Sequence, residues 1–119
     1  GSGAEPVLMA HVNLFSDDEP RDELLLTAWR RFYPRASGDV LVQFDRRLRG
    51  VTCAVARNSA VALVDLEPHL ASPRKQWFAD YSHFNDRGAG LVAGLAADAI
   101  VGRLTGAVPA AQEVSCATP

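Results

Sequence analysis

Cysteine, long apolar runs, clustered basic charge and internal repeats are all scarce or missing in this chain of 119 residues. The two cysteines, Cys53 in a helix-patterned stretch and Cys116 near the end, do not make a disulfide framework, and neither stands at metal-ligand spacing to a histidine. They read as a small buried residue and an incidental tail thiol. Apolar runs stop after a few residues, which argues against a membrane span, and no charged segment followed by a long apolar one marks a signal peptide. The place where the chain works is left open by these features. A formal charge of −2 without a basic stripe gives no reason to expect nucleic acid as a partner.

What is present suits one small domain: 48% of the residues are hydrophobic, enough for a packed core. Pro6 to Val12 is a short apolar run bounded by turn formers, the pattern of a buried parallel strand. Asn13 follows that strand. It can contact a ligand at the C-terminal edge of an α/β sheet or simply turn the chain, with His11 partly buried beside it. Ser16 to Pro20 has the composition of a helix start, predicting a helix to about Phe32 that buries Leu25, Trp29 and Phe32. Pro34 to Gly38 interrupts it. Val40, Leu41, Phe44, Leu48, Val51 and Val55 then recur at helical spacing, with Arg46, Arg47 and Arg49 between them as a solvated face. Ala60 to Leu66 is a second buried strand, and its Asp65 is placed to cap the next segment or to support a loop. Glu67 to Leu70 reads as a short helical turn carrying a surface His69, and Ser72 to Lys75 as a basic loop.

The rest is organised around Gln76 to Ile100, QWFADYSHFNDRGAGLVAGLAADAI. Asp80 stands three residues before His83, close enough in a tight turn to accept a hydrogen bond from Nδ1 of the imidazole. Such a bond fixes the tautomer and leaves Nε2 as an acceptor, which a general base for a serine hydroxyl requires. Asn85 or Asp86 can cap a helix whose apolar positions Leu91, Val92, Leu95, Ala96, Ala99 and Ile100 continue to Leu104, with Gly106 as its stop. The stretch after Gly106 has no periodic pattern and reads as a mobile tail.

The run F-x-D-x-x-H-F-N-x-x-G followed by an amphipathic helix resembles the C-terminal block of the SGNH/GDSL hydrolases, a family of esterases, lipases and carbohydrate O-acetyl esterases. The resemblance implies that Asp80 and His83 are the catalytic Asp and His. It covers roughly Ala4 to Leu104 and implies the C-terminal half of a three-layer α/β/α, flavodoxin-like fold with parallel strands, the N-terminal half being absent. Residues 1–106 would be that portion of the domain and 107–119 the tail. The two strands should be adjacent or nearly so, joined by a right-handed crossover holding two helices. Asn13 lacks the Gly-x-Asn-Asp setting of the family's oxyanion-hole asparagine.

No Gly-Asp-Ser motif occurs among the seven serines. Ser16 after the first strand and Ser82 inside the turn lack the family's nucleophile setting. Three functions are therefore carried forward. The first is an ester hydrolase working through a serine acyl-enzyme on a small-molecule or carbohydrate ester, with this chain supplying Asp and His. The second is a polysaccharide O-acyltransferase on the same scaffold. The third is a truncated or degenerate, non-catalytic domain that binds a partner through its exposed sheet edge; the partners in view are the missing N-terminal half or another copy. No cofactor or metal is implied by any of them.

Overall fold

The computed structural model describes residues 3–107 and 116. Its elements run β1 (Val7–Ala10), α1 (Glu23–Arg30), α2 (Gly38–Asn58), β2 (Ala62–Asp65) and α3 (Asp86–Thr105), with short 3-10 turns at Glu67–His69 and Arg74–Gln76. The fold is mixed α/β, as the two apolar runs and the helical spacings imply. β1 and β2 pair in parallel, Val7 opposite Ala62 through Ala10 opposite Asp65, and the connection between them carries α1 and α2.

Alternation along the strands divides the core. Leu8, Ala10 and Leu63 pack with Cys53 and Ala56 of α2, whereas Val7 and Val64 belong to a cluster that takes in Leu91, Val92, Leu95 and Ala99 of α3. The sheet is thus covered by α2 on one face and α3 on the other, the arrangement expected of parallel strands, which need both faces buried. A third cluster joins α1 to the start of α2 through Phe15, Leu26, Trp29, Leu41 and Val42.

Local chemistry sets the helix ends. Ser37 caps α2 by accepting the Val40 N–H at 3.3 Å, and Asn85 caps α3 by accepting that of Gly88 at 3.0 Å. Gly106, at φ 67°, closes α3 in the left-handed conformation that glycine adopts at little cost. α1 departs from expectation. Its cap is Asp22, which accepts the Leu25 N–H at 3.1 Å, and the Ser16–Pro20 cluster remains in the preceding loop. The helix ends before Phe32, so Leu26 and Trp29 form its buried face and Phe32 is 71% exposed.

α2 also differs. Of the six apolar residues predicted to face the core only Leu41 is buried; Val40, Phe44, Leu48, Val51 and Val55 are exposed along one side. The neighbouring side of the helix, through Val42, Asp45, Cys53 and Ala56, packs against α1 and the sheet instead. α2 therefore has two apolar faces, and periodicity alone cannot say which one the fold uses.

Cys53 and Cys116 form a disulfide, with Cα atoms 6.1 Å apart, which corrects the reading of two unrelated thiols. The pairing brings residue 116 onto the cluster between α2 and the sheet, a tertiary approach across 63 residues that no spacing announces. The remainder of the expected tail, 108–115 and 117–119, lies outside the described residues. α3 is long and apolar enough, by length and composition, to cross a membrane, although its apolar residues are broken into short runs. Its Leu91, Val92, Leu95 and Ala99 pack on the core cluster of the sheet.

Candidate functional site

The Asp80–His83 turn is built from its base upward. Phe78 and Phe84 pair as an isolated antiparallel bridge with ring centroids 4.8 Å apart, and Asn85 N–H donates to the Trp77 carbonyl at 3.0 Å. One step further in, Ala79 N–H donates to the His83 carbonyl at 2.8 Å. The Asn85 side chain reaches back to the Gln76 carbonyl, so the residue that caps α3 also closes the loop. Gly88 is required here: a Cβ at that position would lie 2.1 Å from the Trp77 carbonyl oxygen, too close for any side chain.

At the tip, Asp80 Oδ1 accepts the N–H groups of Ser82 and His83, each at 2.8 Å, and Asp80 Oδ2 lies 2.7 Å from His83 Nδ1. Burial works to raise the Asp80 pKa, but the two backbone bonds and the His83 ring outweigh it and hold the carboxyl below its ordinary value. An ionised Asp80 accepts from Nδ1–H, which leaves Nε2 as the free acceptor. The His83 side chain is 77% exposed, so that acceptor is open to an incoming hydroxyl. An imidazole held in this way can take a proton at Nε2.

The C-terminal end of β1 meets this turn. Leu14 N–H donates to the Tyr81 carbonyl at 3.0 Å, and the Tyr81 ring stacks on Trp29. Asn13, the candidate substrate contact, is buried: its Nδ2 donates to Asp45 Oδ2 at 2.7 Å and its Oδ1 accepts the Phe15 N–H at 2.7 Å. Its side chain thus turns the chain and braces α2. Ser16 Oγ accepts the Asp18 N–H at 3.3 Å, a local turn contact, and His69 is exposed as expected.

Two groups were not visible in the sequence. His11, expected to be partly buried, has a half-exposed side chain, and its Nδ1 lies 3.2 Å from Asp45 Oδ2, making a second Asp–His pair between the chain leaving β1 and α2. The hydrogen bond to Asp45 raises the His11 pKa against the opposing effect of burial. For Asp45, burial acts upward, and the bonds from His11 and Asn13 bring its pKa below the ordinary value. Arg74, read as part of a basic loop, is instead a buried brace. It donates to the Asn13 carbonyl at 2.6 Å and to Glu67 Oε1 at 2.7 Å, and its guanidinium lies 5.9 Å from the centre of the Phe78 ring.

Asp65 accepts the Glu67 N–H at 3.4 Å and receives Arg49 on both carboxylate oxygens, so it braces α2 against the end of β2 and, among the described residues, has no bond to the Asp80–His83 loop. Arg49 is thereby taken off the solvated face to which its neighbours Arg46 and Arg47 belong. Ligand atoms of Cys53, Asp65 and Cys116 lie within 4.8 Å of one another, yet the two sulfurs are spent in the disulfide and Asp65 in the Arg49 pair. A shallow pocket lined by Leu14, Ser16, Arg21, Asp22, Pro73 and Lys75 carries charges of both signs, and neither Asp80 nor His83 lines it.

No family model, curated protein or solved structure matches this chain.

Proposed function

We propose that this chain supplies the general base and its orienting carboxylate to an ester hydrolase of the SGNH/GDSL type, on a flavodoxin-like three-layer scaffold. The observation that carries the reading is the closed Asp80–His83 turn, in which one carboxylate oxygen is fixed by two backbone N–H groups and the other lies 2.7 Å from Nδ1. In the reaction His83 Nε2 takes the proton of a serine hydroxyl as the oxygen attacks the ester carbonyl. It then passes that proton to the leaving alcohol, and water repeats the cycle on the acyl-enzyme. Asp80 stabilises the imidazolium formed between these steps. No Gly-Asp-Ser motif occurs in the 119 residues, so in this reading the serine and the oxyanion donors belong to polypeptide outside them. The substrate class is a small-molecule or carbohydrate ester.

The test is complementation. This chain, joined to or mixed with an N-terminal half of an SGNH hydrolase carrying Gly-Asp-Ser, should hydrolyse short-chain acyl esters, and the activity should vanish in His83→Ala. Turnover that ignores His83 would refute the assignment.

A second reading, a non-catalytic domain that binds a partner, is favoured by one observation: the exposed apolar side of α2 formed by Val40, Phe44, Leu48, Val51 and Val55.

A further inference from the structure

The Asp80–His83 turn satisfies itself internally. Both oxygens of Asp80 are spent on Ser82 and His83, so neither side chain of the pair ties the tip of the turn to the body of the protein. Between them stands Tyr81, which makes that tie twice. Its carbonyl accepts the Leu14 N–H at 3.0 Å, linking the tip to the chain leaving β1. Its ring lies on Trp29 with centroids 5.5 Å apart and planes 15° from parallel, and Trp29 lies in turn on Phe15 at 5.8 Å and 3°. Phe32 closes against the outer side of Tyr81 at 6.4 Å. The far end of this column is rigid, since Phe15 and Trp29 are buried among Leu26, Leu41 and Val42.

We propose that Tyr81 is a positioning residue, through which the Phe15–Trp29 stack of the α1 layer sets the direction of the His83 imidazole. The physical argument is one of leverage. A four-residue turn carrying an exposed imidazole can rock about its base at Phe78 and Phe84 unless its tip is held. Displacing a catalytic group by 1 Å can cost about a hundredfold in rate. A stacked aromatic face resists sliding and tilting through many small dispersion contacts, and the Leu14 bond fixes height above the strand end. The catalytic meaning of this role rests on reading His83 as the base; its geometric content does not.

The experiment is NMR of the 119-residue chain with residual dipolar couplings, reading the orientation of the His83 ring and its backbone N–H relative to α2 and α3. The wild type and Tyr81→Phe should fit one fixed orientation of the ring relative to those helices. Tyr81→Ala should reduce the His83 couplings by roughly half, as expected when the turn rocks as a unit on its base. Trp29→Leu should reduce the same couplings although Trp29 does not touch His83, and Trp29→Phe should restore them; a general loss of packing would not single out the His83 ring from His69. Should Tyr81→Ala fail to fold, Tyr81→Leu fills the half-buried space without a stacking face and is read the same way. Folded Tyr81 and Trp29 variants that keep the wild-type His83 signature would overturn the proposal. If the signature moves while a complemented enzyme ignores His83→Ala, the positioning role stands and the hydrolase reading falls.

Discussion

The guanidinium of Arg74 donates to the carbonyl of Asn13 at 2.6 Å, joining the loop before the Asp80–His83 turn to the chain leaving β1 across 61 residues. Arg74 is 3% exposed, and its backbone N–H is held by Glu19 while its side chain pairs with Glu67. Removing the buried guanidinium leaves the Asn13 carbonyl without its partner and takes the cation from a partly exposed Glu67, so Arg74→Ala should destabilise the fold by about 2 kcal/mol. Chemical denaturation should show that loss, with Arg47→Ala, an exposed arginine of α2, as the control within about 0.5 kcal/mol of wild type.

The Cys53–Cys116 disulfide closes a loop with a sequence separation of 63. Constraining an unfolded loop of that size is worth about 4 kcal/mol in the chain-entropy description. Reduction, or Cys53→Ala, should therefore lower Tm by roughly 15 °C or more in a domain of this size. Thermal melts with and without reductant check it, and coincident melts would show that the bond does not constrain the chain.

His11 should titrate above its ordinary value of about 6.5, because Asp45 favours its charged form. A raised folded-state pKa means the stabilisation is fully present below about pH 6.5 and is lost as pH rises through the folded-state value. NMR titration of the His11 ring is expected to show the upward shift, and Asp45→Asn to abolish it together with that part of the pH dependence of stability.

The alone chain should show no esterase turnover above buffer, since it offers a base and an orienter without a Gly-Asp-Ser nucleophile. In the complemented enzyme His83→Ala should cost several powers of ten in kcat, and Asp80→Ala less, because the proton acceptor survives the loss of its partner. Steady-state rates for the two variants, with His11→Ala as reference, decide the order. A larger loss in His11→Ala would transfer the role of base to the second pair.

The exposed side of α2 should drive self-association of the chain. Phe44→Lys with Val51→Lys should lower the apparent mass in sedimentation experiments and leave stability within roughly 1 kcal/mol, since both side chains are more than half exposed. A wild-type chain that is already monomeric at high concentration would contradict the expectation.

The sequence exposed what depends on neighbours along the chain. The Asp80–His83 bond, the Asn85 cap and the Gly106 stop are all set within a few residues, and each stands where local spacing put it. It concealed what depends on which surfaces meet. The Ser16–Pro20 cluster has the composition of a helix start, yet the burial of Leu26 and Trp29 against α2 goes with a helix that begins after Asp22. α2 offers two apolar faces of similar pattern, so the choice between Val42 and Phe44 as core residue is made by α1 and the sheet. His11 and Asp45, 34 positions apart, become a pair because β1 and α2 pack together, and nothing in either local sequence marks the other.

The exposure of the His83 side chain, 77%, places the Asp80 pair in the dielectric of water, where an ion pair contributes between nothing and about 1 kcal/mol and salt screens charges beyond roughly 8 Å. Attraction between the two side chains is then too small to assemble the turn. The Ser82 and His83 N–H bonds to Asp80 and the ladder between Phe78 and Phe84 do that work, so the arrangement should keep its shape from low to high ionic strength. Its electrical strength is a separate property, which would rise only if water were excluded from around His83.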